Sequence, residues 1–315
     1  MCQGLNPDIT LNMIKSSFGK GVLCAVFAYL VWGFLPLYWR MLAQLNSMHI
    51  LAFRILFSLL LISIILFIQK KTSWLVFYKD RHKCIRLIFS GITICFSWGF
   101  YIWAVNGGFT IESALGYYIN PLISIMLGMV IFKEKLNFLQ GFAFALALAG
   151  VLLLTIFTGS LPWISILIGL SFTCYSFMKK TINMPALESV GVETLIGSPL
   201  GIILLFTPLG IIMTAGDPGH ANISYLAGLP PLTLFLLIFI GAATTLPLFL
   251  FSIGARLLPL STLGFIQFIS PTMTFLTGFF IFKEPFPPRN FIVFGFIWAA
   301  AILYIISLRM RDKKT

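Results

Sequence analysis

Long runs of apolar residues alternate along the chain with short clusters of charged ones. Each run is about 20 residues long, which is the length that an α-helix needs to cross about 30 Å of hydrocarbon. The pattern predicts an all-α integral membrane protein whose ten transmembrane helices occupy residues 20–39, 48–69, 86–106, 113–132, 137–157, 161–178, 190–213, 231–254, 260–282 and 290–308. Residues 1–19 are then a leader and residues 309–315 a basic tail, both expected in the cytoplasm.

The composition excludes a soluble fold. Hydrophobic residues make up 59% of the 315 residues and charged residues only 10%, with a mean hydropathy of +1.01. A soluble domain carries roughly 25% charged residues, so a chain with this much apolar surface needs lipid as its solvent.

The net charge of +12 could indicate a nucleic-acid-binding protein, but the basic residues lie in the short connections between apolar runs. If the N-terminus is inside, the inner segments hold 17 Lys and Arg residues and the outer segments hold 3. Cytoplasmic loops carry this excess in membrane proteins. We therefore expect both termini in the cytoplasm and no nucleic-acid partner.

Two strings of the chain repeat each other. Residues Ser113–Gly116 read Ser-Ala-Leu-Gly, and residues Ser261–Gly264 read Ser-Thr-Leu-Gly. Each is followed by a proline, a glycine seven residues later and a Phe-Lys-Glu string, which are Pro121, Gly128 and Phe132–Glu134 in one copy and Pro271, Gly278 and Phe282–Glu284 in the other. The halves 20–157 and 158–308 each contain five spans, an odd number, so the second half is predicted to be inverted. Inverted repeats hold a solute site near the membrane midplane.

Arg54 is the only Lys or Arg residue that lies away from the ends of a predicted span. A charge deep in a bilayer costs up to about 2.5–3.5 kcal/mol on insertion scales, so such a residue favours a cavity or a partner. Its guanidinium could bind a substrate carboxylate through two parallel hydrogen bonds. The alternative is that the long side chain reaches the outer headgroups.

Two acidic residues are candidates for proton coupling. Glu112 begins the fourth span on the outer side, where it could pair with Arg54 or cap the helix. Glu193 lies near the inner end of the seventh span, where burial would favour the protonated form of a carboxyl. The alternative is an interfacial glutamate that faces Lys179 and Lys180.

Polar and aromatic residues recur at helical spacing in several spans. Tyr117 and Asn120 share one face of the fourth span, and Gln267 lies on the related ninth span. Trp32, Trp98 and Tyr101 could supply aromatic walls. These faces suit a shared central cavity, and the alternative is packing and hydrogen bonding between helices.

The chain contains no phosphate-binding G-x-x-x-x-G-K-[ST] loop and no signature of a hydrolase or metal site. We expect no ATP hydrolysis, no cofactor, no metal and no enzyme activity. A passive channel and a non-transporting scaffold remain alternatives to a permease. The small residues in spans 137–157 and 290–308 could support a homodimer or packing within a monomer.

The chain resembles the drug/metabolite transporter superfamily, EamA type, and within it the RarD group. The resemblance rests on the strings 29–36, 100–106, 112–121, 193–195, 244–247 and 260–267. It implies a bacterial inner-membrane permease with ten helices and a central cavity, which moves a small polar or amphipathic metabolite, such as an amino acid or other carboxylate, or a drug-like compound. We expect alternating access to a substrate-binding set consisting of Arg54, Trp32, Trp98, Tyr101, Asn106, Tyr117, Asn120 and Gln267.

Two positions depart from the pattern of that group. The residue before Arg54 is usually His and is Phe53 here, and the residue before Trp98 is usually Asn and is Ser97 here. If these positions line the cavity, the substrate differs from that of typical members.

Overall fold

The computed structural model describes residues 7–42, 45–106, 110–159, 163–206, 228–283, 288 and 290–312, and the side chains of 7–15 and 102–116 lie outside this description. Every regular element among these residues is helical. The helices are α1 Pro7–Met41, α2 Ser47–Ile68, α3 Arg81–Asn106, α4 Thr110–Val130, α5 Phe138–Thr158, α6 Trp163–Thr181, α7 Ala186–Phe206, α8 Pro231–Leu257, α9 Leu260–Gln267, α10 Ile269–Leu276 and α11 Asn290–Asp312.

Eight of the described helical segments are long and apolar enough to cross a membrane. Helix α4 contributes only the shorter apolar segment Tyr117–Val130, and α6 is not among the eight. The chain is therefore a helical, multi-pass membrane protein, and the count of ten spans stays a prediction.

The predicted spans and the described helices differ most at the first and the ninth span. Residues 7–19 of the predicted leader are helical and continuous with α1. The ninth span is divided at Phe268 into α9 and α10, and a π-helical turn, Thr277–Ile281, continues α10. The end predicted for the seventh span, residues 207–213, lies outside the described residues.

Helix ends follow local capping chemistry. The Asn137 side chain accepts the Gln140 N–H at the start of α5, and the Gln140 side chain accepts the Asn137 N–H in return. Gly159 closes the same helix with a φ of 75°, a conformation that glycine adopts without strain. Helix α9 is capped by a residue from the α4–α5 connection. The Glu134 carboxylate accepts the N–H groups of Leu260 and Ser261 at 2.7 and 2.8 Å.

The helices pack in pairs that follow a regular scheme. Helix α1 packs on α8 and α10, α6 on α3 and α4, and α2 on α7 and α8, while α3 packs on α7, α4 on α9 and α5 on α11. The helices correspond in chain order, with α9 and α10 together counted as one element. The counterparts of α1, α2, α3, α4 and α5 are then α6, α7, α8, α9–α10 and α11. When every helix is replaced by its counterpart, the same set of pairs results.

The connections α2–α3, α4–α5, α6–α7 and α8–α9 meet at one end of the molecule. There Arg86 donates to the Thr181 carbonyl at 2.9 Å, and Lys180 lies 3.7 Å from Glu134. Arg256 donates to the Met184 carbonyl at 2.5 Å. We call this the basic end and the opposite one the outer end, because the excess of basic residues predicts that the former faces the cytoplasm.

Candidate functional site: a central cavity

A cavity of about 330 Å³ lies among α1, α2, α3, α4, α6, α9 and α10. Its lining consists of Tyr29, Trp32, Leu35, Pro36, Trp39, Ile50, Leu51, Arg54, Ser97, Trp98, Tyr101, Tyr117, Asn120, Ile168, Phe172, Gln267, Ser270, Pro271 and Thr274. Helix α1 contributes residues up to Trp39, close to its last residue, and α2 contributes residues from Ile50, close to its first. The cavity therefore occupies the half of the molecule nearer the outer end.

Most of the predicted substrate-binding residues meet in this cavity. Its lining includes Arg54, Trp32, Trp98, Tyr101, Tyr117, Asn120 and Gln267. The side chains of Asn106 and of the proton-coupling candidate Glu112 lie outside the part of the chain whose side chains the structure describes. Solute contact by any of these residues stays a prediction.

Arg54 lies over aromatic rings inside the cavity. Its guanidinium carbon is 3.5 Å from the centroid of the Trp98 ring and 6.0 Å from that of Trp39. Its Nε atom is buried and has no hydrogen-bond partner among the residues that the structure describes. Among the described side chains no carboxylate approaches it within ion-pair distance. The geometry favours a cavity residue over one that reaches the headgroups, and it leaves N–H groups for an anion.

Seven of the 18 other lining residues are aromatic. The Tyr101 and Tyr117 rings meet edge to face at 5.3 Å, and Trp32 meets Tyr29 and Phe172 at 5.4 and 5.7 Å. Edge-to-face contacts hold such rings in defined positions. The wall can therefore accept a flat apolar group beside the single cation.

The predicted polar stripe of α4 divides between lining and packing. Asn120 lines the cavity, and its Oδ1 atom accepts the Thr173 hydroxyl at 2.8 Å. Ser124 is instead buried and lies 3.2 Å from Thr173. On the related α9, a methyl group on Gly264 would lie 2.8 Å from the Pro121 carbonyl, so this glycine serves close packing rather than the cavity.

The two departures from the group pattern have different surroundings. Ser97 lines the cavity, whereas Phe53 stacks on Phe57 at 5.8 Å and is absent from the lining. The departure at residue 97 can therefore alter solute contacts directly.

Glu193 lies on the basic-end side of the cavity and forms an ion pair with Lys179 at 2.7 Å. The side chain is 3% exposed and faces Lys179, as the alternative to a proton-coupling role expected, whereas Lys180 pairs with Glu134. The sequence predicted Lys179 only as a possible neighbour of Glu193 at the interface, without its burial. A lysine adjacent to a second lysine at a helix end gives no signal of burial.

Comparisons with known proteins bear on this geometry. Residues 19–156 match the model of the EamA-like transporter family. The chain is 39% identical to the uncharacterized transporter YojE of Bacillus subtilis (strain 168), over 91% of this chain and 94% of the relative. It is 35% identical to protein RarD of Streptomyces exfoliatus, over 90% of this chain and 87% of the relative. It is 33% identical to protein RarD of Escherichia coli (strain K12), over 94% and 97%.

A crystal structure of a protein 15% identical in sequence also superimposes on this chain. The match has a TM-score of 0.68 and covers 92% of this chain and 98% of the other. At that identity the likeness concerns the fold alone.

Proposed function

Because the chain belongs to the EamA-like transporter family, and within it to the RarD-like drug/metabolite transporters, we propose that it moves a small amphipathic carboxylate through the central cavity by alternating access. The observation that carries this proposal is Arg54, a cation that lies over Trp98 in an aromatic cavity and whose buried Nε has no hydrogen-bond partner among the described side chains. The names of the relatives indicate a transporter rather than an enzyme.

The chemistry of the lining supports this class of solute. A guanidinium can bind a carboxylate through two parallel N–H bonds, and removal from water strengthens that contact. The rings of Trp32, Tyr101 and Tyr117 offer flat apolar surface for the rest of the solute. Asn120 and Gln267 add amide groups that can orient a further polar substituent.

The packing of the helices supports two inverted five-helix halves, 20–157 and 158–308. Gly91 of α3 packs on Ile196 of α7, and Gly241 of α8 packs on Phe57 of α2. Ile196 follows Phe57 by 139 residues, and Gly241 follows Gly91 by 150. The same close contact therefore occurs twice between the halves, with the two halves exchanging roles, as an inverted repeat requires.

The cavity rim offers a second pair of matching contacts. Gly33 of α1 packs on the Ser270 carbonyl of α10, and Gly169 of α6 packs on the Asn120 backbone of α4. Asn120 and Ser270 are 150 residues apart, and both line the cavity. These contacts support a cavity to which the two halves contribute related positions, which is the arrangement that alternating access uses.

The proposed setting is the bacterial inner membrane, with the basic end and both termini in the cytoplasm. The excess of Lys and Arg in the connections at the basic end supports this orientation. Energy would come from the solute gradient or from protons, with Glu193 or Glu112 as the titrating group.

A ligand-induced stability shift tests the solute class. The melting temperature of the purified protein in detergent is measured with phenylacetate, phenylacetamide and acetate, which separate the carboxylate from the ring. A ligand at about 100 times its Kd stabilises the folded state by about 2.7 kcal/mol. We expect phenylacetate to raise the melting temperature most, and Arg54→Ala to remove its advantage over phenylacetamide. Equal shifts for phenylacetate and phenylacetamide would contradict the carboxylate assignment.

A further inference from the structure

A fully buried ion pair lies on the basic-end side of the cavity. The side chains of Lys179 and Glu193 are 1% and 3% exposed, and Nζ lies 2.7 Å from Oε2. The Ser90 hydroxyl donates to Oε1 of Glu193 at 2.6 Å, and the Tyr175 hydroxyl donates to Oε2 at 3.3 Å. Nζ of Lys179 also donates to the Ser189 hydroxyl at 2.9 Å. Residues of α3, α6 and α7 thus meet at one carboxylate.

Stability alone does not account for such a pair. Removing two charges from water is costly, and well-packed apolar residues in their place are often as stable or more stable. Ionisable residues buried in a membrane protein mark functional sites by default. We therefore expect Lys179 and Glu193 to have a function in the transport cycle.

A layer of aromatic side chains separates this pair from the cavity. Trp32 and Phe172 line the cavity and contact each other at 5.7 Å, and each meets Phe251 at 5.5 Å. Phe251 stacks on Tyr175 at 5.7 Å, and the hydroxyl of Tyr175 reaches Glu193. We call Tyr29, Trp32, Phe172, Tyr175 and Phe251 the aromatic floor. A path from the cavity toward the basic end crosses this floor and then meets the ion pair.

The floor contains a polar group that is poorly satisfied in this conformation. The Tyr29 hydroxyl is buried and has no hydrogen-bond partner in the described part of the chain. Its ring packs against Trp32 at 5.4 Å and Phe251 at 6.0 Å. Burying an unpaired hydroxyl is unfavourable, so a conformation that admits water to the floor would relieve that loss.

Glu193 occupies the same place in the second half that Arg54 occupies in the first. Helices α2 and α7 pack on each other twice, with Gly201 against Ala52 and Gly191 against Ile62. Gly191 follows Ala52 by 139 residues, Gly201 follows Ile62 by 139, and Glu193 follows Arg54 by 139. In an inverted repeat the two halves exchange conformations between the two states of the carrier, so Glu193 is the counterpart of a residue that lines the open cavity now.

We propose that the Lys179–Glu193 pair is the latch that keeps the cavity closed toward the basic end, and that both side chains line the cavity when it opens there. The proposal rests on the alternating access of the proposed function. In the conformation described here the pair and the aromatic floor together seal the path. When the floor parts, water solvates both charges, and the Lys179 ammonium presents a cation to the solute as Arg54 does on the outer side.

Thiol accessibility measured from each side of the membrane tests the latch. The five native cysteines are replaced by alanine, and Ser97→Cys places a reporter in the cavity. A membrane-impermeant methanethiosulfonate with a trimethylammonium group is applied to spheroplasts, which expose the outer end, and to inside-out vesicles, which expose the basic end. The chain with its pair intact is expected to react faster from the outer end.

The decisive variant is the neutral double substitution Lys179→Gln/Glu193→Gln, which leaves no unpaired charge. We expect its labelling from the basic end to rise about tenfold, which corresponds to about 1.4 kcal/mol lost from the closed state. The swapped pair Lys179→Glu/Glu193→Lys should return the rate toward that of the intact pair, because the hydroxyls around it can accept as well as donate. These variants carry the test even if a single substitution prevents folding by leaving one charge unpaired.

Glu188→Gln is the matched control. Glu188 lies on the same helix, is 6% exposed and binds the Ser73 hydroxyl at 2.9 Å, outside the aromatic floor. Its labelling rate should equal that of the intact chain. An unchanged rate in the double variant, or an equal rise in Glu188→Gln, would overturn the latch. The readout needs no solute, so loss of the latch effect and failure of the proposed carboxylate transport are separate results.

Discussion

A cation over an aromatic face stays available to an anion. The Trp98 ring lies 3.5 Å from the Arg54 guanidinium carbon and offers it an attractive surface without taking up its N–H donors. No described carboxylate lies within ion-pair distance of Arg54. With respect to the described side chains, the arrangement therefore holds positive charge in the cavity and leaves its N–H donors available.

Replacing Arg54 by alanine should raise the KM for a transported carboxylate roughly tenfold to hundredfold. A hydrogen bond to a charged group contributes about 1.5–3 kcal/mol, and a change of 1.4 kcal/mol is tenfold. Initial uptake rates in proteoliposomes measure the effect. Arg40→Ala is the control, because Arg40 lies outside the cavity lining, with its guanidinium 4.1 Å from the Phe282 ring. Similar losses in both variants would make the effect one of net charge.

Substituting the residue types that are usual in the RarD group should affect solute selectivity at residue 97 but not at residue 53. Ser97→Asn adds an amide to the cavity and is expected to change the ratio of rates for phenylacetate and phenylacetamide. Phe53→His lies outside the lining and is expected to leave that ratio unchanged. Uptake of the two solutes by each variant measures it. A larger change for Phe53→His would mean that the cavity described here is not the transport site.

Cavity residues could be predicted from the sequence where a charged or large polar side chain lies in an otherwise apolar span. Arg54 is a charge in an apolar span, and Asn120 and Gln267 are large polar residues in apolar helices. Tyr29, Trp39 and Phe172 were missed, because an aromatic residue in a membrane helix looks the same whether it faces lipid, another helix or a cavity. Only packing distinguishes these cases.

Helices α8 and α2 approach each other closely at Gly241, so a larger residue there should destabilise the protein. A methyl group on Gly241 of α8 would lie 2.5 Å from the Phe57 carbonyl oxygen and 2.6 Å from its carbon, so Gly241→Ala must push α8 and α2 apart. Overpacking of this kind costs about 1–3 kcal/mol. We expect a lower melting temperature for the purified protein.

Gly295→Ala on α11 is the matched control for Gly241→Ala. Nothing lies within 4 Å of a methyl group there, and alanine favours the helix over glycine. Its melting temperature should equal or exceed that of the unchanged protein. A melting temperature for Gly241→Ala as high as that of Gly295→Ala would contradict the close contact of α8 with α2.

Element boundaries could be predicted from the sequence to within a few residues for most helices, because charges mark where the apolar runs end. The break between α9 and α10 could not. Gln267 and Phe268 lie within an uninterrupted apolar run, and the break becomes visible only in the backbone. Phe268 itself keeps right-handed helical angles, with φ −61° and ψ −14°, so the break is a small local change directly after Gln267.

At the scale of the whole molecule, the two ends of the cavity differ. Toward the outer end the lining reaches Trp39 and Ile50 near the ends of their helices, whereas toward the basic end the aromatic floor and the Lys179–Glu193 pair lie beyond the lining. The repeated strings predict two inverted halves, and that arrangement stays a prediction. The sequence could not indicate toward which end the cavity lies, because its lining comes from residues scattered over seven helices.

Counterflow in proteoliposomes is the most direct test of a carrier for small amphipathic carboxylates. Vesicles that contain the purified protein are loaded with unlabelled phenylacetate, and uptake of external labelled phenylacetate is followed over time. An alternating-access carrier predicts saturable uptake that internal phenylacetate accelerates, with a transient overshoot above equilibrium. Uptake that rises linearly with concentration and ignores the internal solute would indicate a channel, and no uptake by the folded protein would contradict transport of this solute class.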